Sequence, residues 1–482
     1  MSTPPSEPCH PVVVQGGMGV AVSSWRLARA VCVAGGLGVV SGTALDVVLA
    51  RRLQDGDPDG DVRRAMAAFP VPAVAERVLG RYFRPGGRPA GQPYTPVPKL
   101  GLRSSPAAQE LSVLASFVEV WLAKQGHDGP VGINLLEKVQ MATPAVLYGA
   151  LLADVDHVLM GAGIPAQIPA VLTRLSQHEP VSLDVHVDGA TTGYTTGIHP
   201  TRLLGDDLPA VRRPFFAAIV SAHVLAAYLA RDEATRPDGF VIEGPSAGGH
   251  NAPPRGRPQL DDSGQPVYGP RDEADLAKVA AVGLPFWLAG SRGTPEQVAA
   301  ARAAGAAGVQ VGTLFALSTE SGLRPDLRTE LLQRLSRDEL VVRTDATASP
   351  TGFPFKVVPL PGNVSVPDVA TARQRLCDLG YLRVPYERTP GVVGYRCPAE
   401  PVHAYVRKGG AVENTVGRTC LCNGLTATVG LAQTRRDGYT EDPLVTLGSD
   451  LDGARRMLRR RPHGWTAAEA VSWLGGTLPT AP

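Results

Sequence analysis

The sequence predicts an α/β protein built on a closed (β/α)8 barrel, and three observations predict it. Eight short β-rich runs recur along the chain, and each but the second is followed closely by a helical pattern. Glycine gathers at the C-terminal ends of those runs. Apolar residues make up 44% and charged residues 19% of 482 positions, which suits a large core. Strand–helix alternation marks parallel βα units, and eight of them argue for a closed barrel rather than an open sheet.

Taken in order, "PVVVQGG" (11–17) is the first strand, and "SSWRLARAVCVAGG" (23–36) is a helix with a serine cap and a glycine stop. "LGVVSG" (37–42) is the second strand. After a long interruption come "VGINLL" (131–136), "HVLMGAG" (157–163), "FFAAIVS" (215–221), "GFVIEG" (239–244), "LPFWLAG" (284–290) and "AGVQVGT" (307–313). "VSLDVHVDG" (181–189) alternates apolar and polar residues and is assigned to a half-exposed strand outside the eight. Residues 43–130 form an insertion after the second strand, with a Pro/Gly-rich loop and a helix near 107–125. The expected division is a barrel over 1–330 and a C-terminal extension over 331–482 that packs on it and carries a last helix, "TAAEAVSWL".

A net charge of +2 favours neither nucleic acid nor an anionic membrane surface, and "RRR" at 459–461 reads as a solvated helix end. The start "MSTPPSEPCHP" lacks the basic and apolar regions of a secretory signal, and no segment reads as membrane-spanning. Six cysteines make no disulfide framework, so a reducing cytoplasm is the expected compartment.

Active sites of such barrels lie at the C-terminal strand ends. Here those ends include "QGGMG", "GINLL", "EGPSAGGH", "LAGSRG" and "QVGT". Bare backbone at a strand end lets a ligand approach N–H groups, and the helix that follows favours an anion. "AGS" (289–291) and "VGT" (311–313) end strands seven and eight, where barrels commonly hold a phosphate, and Ser291 and Thr313 add hydroxyls.

The ordered stretches "VVVQGGMGVAVSSWRLARAVCVAGGLGVVSG", "VGINLL", "VIEGPSAGGH" and "PFWLAGSRGTPEQVAAARAAGAAGVQVGTLFALSTES" resemble the nitronate monooxygenases, FMN-dependent TIM-barrel flavoenzymes. The likeness covers residues 11–323 and, more loosely, "TDATASPTGFPFKVV" (344–358). It implies that Gly17 and Met18 pass close to the flavin ring and that Asn134 hydrogen-bonds it. Gly248, Gly249, Gly290, Ser291, Gly312 and Thr313 would hold the ribityl chain and phosphate. His250 matches the family histidine over the flavin; a near-neutral pKa would let it take a proton from a nitroalkane carbon, or bind a nitronate when protonated. The implied reaction is oxidation of an alkyl nitronate by O2 to a carbonyl compound and nitrite. The implied partners are that small substrate and O2, with a homodimer left open.

The sequence departs from the family in three places. Ser246 stands where a glutamate often precedes the Ala-Gly-Gly-His turn, Pro253 and Pro254 open a lengthened loop to Tyr268, and the insertion at 43–130 is large. A bulkier or more specialised substrate is the corresponding expectation. Two other readings stand beside the oxygenase: an NAD(P)H-dependent flavin enoyl-thioester reductase, and a non-catalytic flavin-binding protein.

Cys397, Cys420, Cys422 and His403 offer the donors of a structural zinc site, but Cys-x-Cys is not the usual knuckle spacing and Cys377 complicates the count. The adopted reading is buried thiols with no metal. Cys32 is assigned to the core; His186, His199 and His223 to structural or surface roles; Lys356 to the surface; and Glu243 either to a neighbouring loop or to the flavin site.

Overall fold

The computed structural model describes residues 10–257 and 259–478. The reading of the N-terminal segment as free of a secretory signal falls mostly on residues 1–9, outside the described residues. Eight parallel strands form the central sheet: β1 (Val13–Gln15), β2 (Gly38–Ser41), β3 (Val131–Leu136), β4 (His157–Gly161), β5 (Phe215–Val220), β6 (Gly239–Glu243), β7 (Phe286–Ala289) and β8 (Gly308–Val311). Each pairs with its neighbour in chain order, and β8 pairs with β1. A parallel bridge between Val14 and Leu37, with Gln15 N–H donating to Leu37 O and Leu37 N–H to Val13 O, closes the ring. The expected TIM barrel is the observed fold.

The barrel lumen is a packed core. Val14, Leu37, Val39, Leu159, Ala217, Val241, Trp287 and Ala289 form one buried cluster contributed by six of the strands and the residue before β2. Alternating side chains point into the lumen, so β-branched and bulky residues fill it in layers. The outward alternates belong to the larger shell beneath the helices, which includes Val13, Val40, Phe216, Phe240 and Val309.

Strand 181–189 lies outside the barrel as expected. It spans Val181–Val185 and pairs antiparallel with Tyr194–Ile198, whose Thr-Gly-rich sequence hid it. The insertion is more helical than its sequence suggested. Helices Leu45–Gln54, Asp61–Ala67 and Pro72–Tyr82 precede the expected one, Pro106–Ala123. Ser105 caps that last helix by accepting from Ala108 N–H, and its apolar length packs against Thr143–Leu152.

The extension runs back across the barrel mouth. Hairpin Arg343–Asp345/Phe355–Val357 meets the turn after β6 through a bridge between His250 and Phe355. Segment 444–454 lies over the ends of β6 to β8, with Gly448 N–H donating to Thr313 Oγ1 and Ser449 N–H to Ser246 O. Cys32 is buried and donates to Pro130 O, a core position as expected. Among the described residues no helix is long and apolar enough to cross a membrane.

Candidate active site

The C-terminal strand ends surround a cavity of about 1440 Å³, part of it open to solvent. Gly17, Met18 and Asn134 line one side; Gly248, Gly249 and His250 another; and Gly290, Ser291, Gly312 and Thr313 a third. All ten residues singled out from the sequence therefore meet in one place, although they span nearly 300 positions.

Local sequence explains the shape of the wall. A Cβ on Gly17 would run into the Asn134 side chain, so the chain passes β3 only as bare backbone. A Cβ on Gly248 would sit 2.9 Å from Gly448 N and Leu447 C, so this turn fits beneath segment 444–454 only without a side chain. Gly249 has φ +78, the left-handed region that glycine enters without cost. That bend turns the chain away from β6 and delivers the His250 imidazole to the cavity.

His250 is fixed from two sides. Its Nε2 is 2.7 Å from Ser349 Oγ, and its ring meets Phe355 edge-on with centroids 4.8 Å apart. Loss of solvent at this wall pushes its pKa down to about 4. The near-neutral value expected from the sequence is thus corrected: burial without a carboxylate partner keeps the imidazole neutral at pH 7. It can accept a proton, but it does not greet an anion as an imidazolium.

Glu243 lines the same cavity at the end of β6. Burial raises its carboxyl to about 7, only partly offset by the charge of Lys356. Lys356, expected at the surface, is 2% exposed and donates to Thr344 Oγ1 at 2.7 Å. Its place after the loop-like stretch "SPTGFPF" gave no sign that Phe355–Val357 is a strand with every residue buried. Burial lowers Lys356 to about 8, opposed by Glu243.

A carboxyl whose folded pKa lies above its unfolded value binds more protons in the folded state between about 4.5 and 7. Stability is therefore lost as pH rises through that window. Glu243→Gln should leave the melting temperature near pH 4 unchanged and raise it at pH 7.5, by roughly 1–3 kcal/mol of stability. Thermal unfolding at the two pH values checks this; an equal effect at both would remove the buried-carboxylate account.

Several cavity residues escaped the sequence reading. Arg292 follows Ser291, and its buried Nε has no hydrogen-bond partner while Nη1 donates to Ser291 O at 3.2 Å. Gln310 Oε1 is likewise buried and unpartnered beside Gly16. Helix Asp452–Arg460 begins at the cavity, with Gly453 packed on Gly293. Thr446 Oγ1 accepts from Gly249 N–H at 3.0 Å. A half-buried guanidinium with a free donor, beside a helix start and glycine-lined strand ends, has the donor chemistry of a phosphate cradle. These features fit a flavin nucleotide.

The remaining histidines stay apart from this site. His186 sits exposed near Asp188, and His223 Nδ1 accepts from Asp275 N–H.

The nitronate monooxygenase family model matches residues 204–350, a span that runs from before β5 to the loop carrying Ser349. No curated protein matches the chain significantly. Among solved structures, nitroalkane oxidase from Streptomyces ansochromogenes is similar over 98% of this chain and 96% of that one, at 18% identity and a TM-score of 0.46. FabK from Thermotoga maritima is similar over 73% of this chain and 72% of that one, at 20% identity and a TM-score of 0.39.

Proposed function

We propose that this chain, an oxidoreductase related to the nitronate monooxygenases through residues 204–350, binds FMN in the barrel mouth and oxidises an alkyl nitronate or nitroalkane with O2. The observation that carries the reading is the meeting of His250, Asn134 and the glycine turns on one cavity that also holds Arg292 with its unpartnered Nε. Bound FMN would supply the electron-transfer chemistry; the protein supplies binding, orientation and proton handling.

In this account Arg292, Ser291, Thr313 and the start of helix Asp452–Arg460 hold the phosphate. Gly248 and Gly249 admit the ribityl chain, and Gly17, Met18 and Asn134 border the ring. His250 is the proton acceptor. In the tautomer whose Nε2–H donates to Ser349 Oγ, Nδ1 keeps its lone pair and can take the proton from the carbon beside a nitro group. Ser349 is a positioning residue, because it holds the imidazole and touches no reacting atom. Phe355 and the 444–454 segment exclude water from that side.

A base with a pKa of about 4 is already unprotonated across the neutral range. The rate on a neutral nitroalkane should therefore lose no activity to His250 protonation between pH 6 and 8, and fall as pH drops through about 4. A limb near 6.5 in the kcat profile would contradict a buried neutral imidazole. The cofactor assignment has its own test: purified protein should be yellow, and heat should release a compound with the mass of FMN. Colourless protein, or release of FAD alone, would overturn it.

A further inference from the structure

A second cleft of about 450 Å³, part of it open to solvent, lies in the extension against the loop that carries Ser349. It shares no lining residue with the cavity at the barrel mouth. Arg396, Tyr405 and Arg418 line it from three separate segments, together with Asp188, Thr351 and Asn414.

Each of the first three side chains is held in place and keeps a donor to spare. Arg396 ends the hairpin Val384–Thr389/Val392–Arg396, and its side chain is 16% exposed. Its guanidinium lies over the rings of Tyr386 and Tyr405, at 4.8 and 5.8 Å. Nη1 donates to Lys408 O and Nη2 to Asp188 Oδ2, which leaves Nε without a partner among the described residues. Arg418 donates from Nε to Asn414 O and from Nη1 to the carbonyls of Thr347 and Ser349, at 3.1, 2.7 and 2.5 Å. Among the described residues it meets no carboxylate, and Nη2 bonds nothing. Tyr405 is 6% exposed, yet its hydroxyl has no partner among the described residues. A buried tyrosine usually finds one.

The charge of the lining points the same way. Two guanidinium groups stand against one carboxylate, Asp188, so one positive charge is left over. That charge belongs to Arg418, whose neutral carbonyl partners fix its orientation without neutralising it. Donors already fixed by other contacts lose little side-chain freedom when a ligand arrives.

We propose that this cleft binds a small oxyanion, the carboxylate or phosphate group of a metabolite, through Arg418 Nη2, Arg396 Nε and the Tyr405 hydroxyl. Charge-assisted hydrogen bonds from the two arginines supply most of the affinity, and the tyrosine supplies a third donor. The anion also steadies the support of His250. Arg418 holds the Ser349 carbonyl, and Thr351 Oγ1 stands 2.8 Å from the same Ser349 Oγ that meets His250 Nε2. Filling the cleft therefore fixes the outer side of the loop on which the imidazole rests.

The test is calorimetric titration of the full chain, saturated with FMN so that the barrel mouth is filled. Inorganic phosphate and acetate are the probes, with ionic strength held constant by sodium chloride. Saturable binding of at least one anion at one site per chain is expected. Acetate binding as well as phosphate identifies a carboxylate site, and phosphate binding alone a phosphate site; both uphold the oxyanion. Arg418→Gln should weaken binding by roughly 10- to 100-fold. Because Arg418 also braces the loop, Tyr405→Phe gives a second readout that keeps the ring in place; about 2- to 10-fold weaker binding is expected. No saturable binding of either anion, or full affinity in both variants, would overturn the proposal. So would a signal that survives Arg418→Gln but vanishes in Arg292→Gln, because it would place the anion in the barrel mouth.

Discussion

His250→Asn should keep the flavin bound and lower turnover of a neutral nitroalkane by about 10²- to 10⁴-fold. The proposed phosphate cradle would be built from Arg292, strand-end hydroxyls and backbone N–H groups, none of which depends on the imidazole. Asparagine is too short to replace the Nε2 contact, but Ser349 Oγ keeps Thr351 Oγ1 at 2.8 Å, so the 345–351 loop retains a partner of its own. What asparagine lacks is a nitrogen able to accept a carbon-bound proton. The preformed nitronate has already lost that proton, so its turnover should fall far less. Steady-state kinetics on both forms of one compound separate the two roles. Equal losses on the two forms would show that His250 binds rather than abstracts, and loss of flavin would show that it is structural.

Arg292→Gln should weaken flavin binding by roughly 10- to 100-fold, the cost of losing charge-assisted hydrogen bonds worth about 1.5–3 kcal/mol. Arg292 is half-buried, and desolvation lowers its pKa with Asp450 and Glu273 opposing. A guanidinium placed in that setting with a free Nε gains most from a dianionic partner. Glutamine keeps an apolar stem and a donor but is shorter and uncharged, so the fold should persist while the colour washes out on dialysis. Fluorescence titration of the apoprotein with FMN measures the change. Unchanged affinity would move the phosphate to another part of the cavity.

The barrel was legible because its strands are largely buried and read as short, mostly apolar runs that recur between helical patterns. Its glycine-bearing ends were legible because tight approach demands glycine whatever lies beyond. Tyr194–Ile198 was not, since a Thr-Gly strand takes its stability from its partner rather than from its own pattern. The His250 turn stood out in the sequence, yet its pKa did not, because desolvation is set by Phe355 and Ser349 about a hundred residues away. The same distance hid Arg292 as a candidate ligand and misplaced Lys356. Each owes its burial to chain that returns from the extension, and no local periodicity reports on such a return. Cys397, Cys420 and Cys422 stood together in the sequence beside His403, but only folding shows that Cys377 rather than His403 lines one cavity with them.

The proposed reaction is oxidation of a nitronate by O2 at a flavin held in this cavity. Oxygen uptake by the purified protein, given an alkyl nitronate and no NAD(P)H, tests it most directly. The account predicts prompt uptake with nitrite and a carbonyl compound as products. No uptake with any alkyl nitronate, together with rapid anaerobic bleaching of the flavin by NADPH and its reoxidation by an enoyl thioester, would contradict it and identify a reductase.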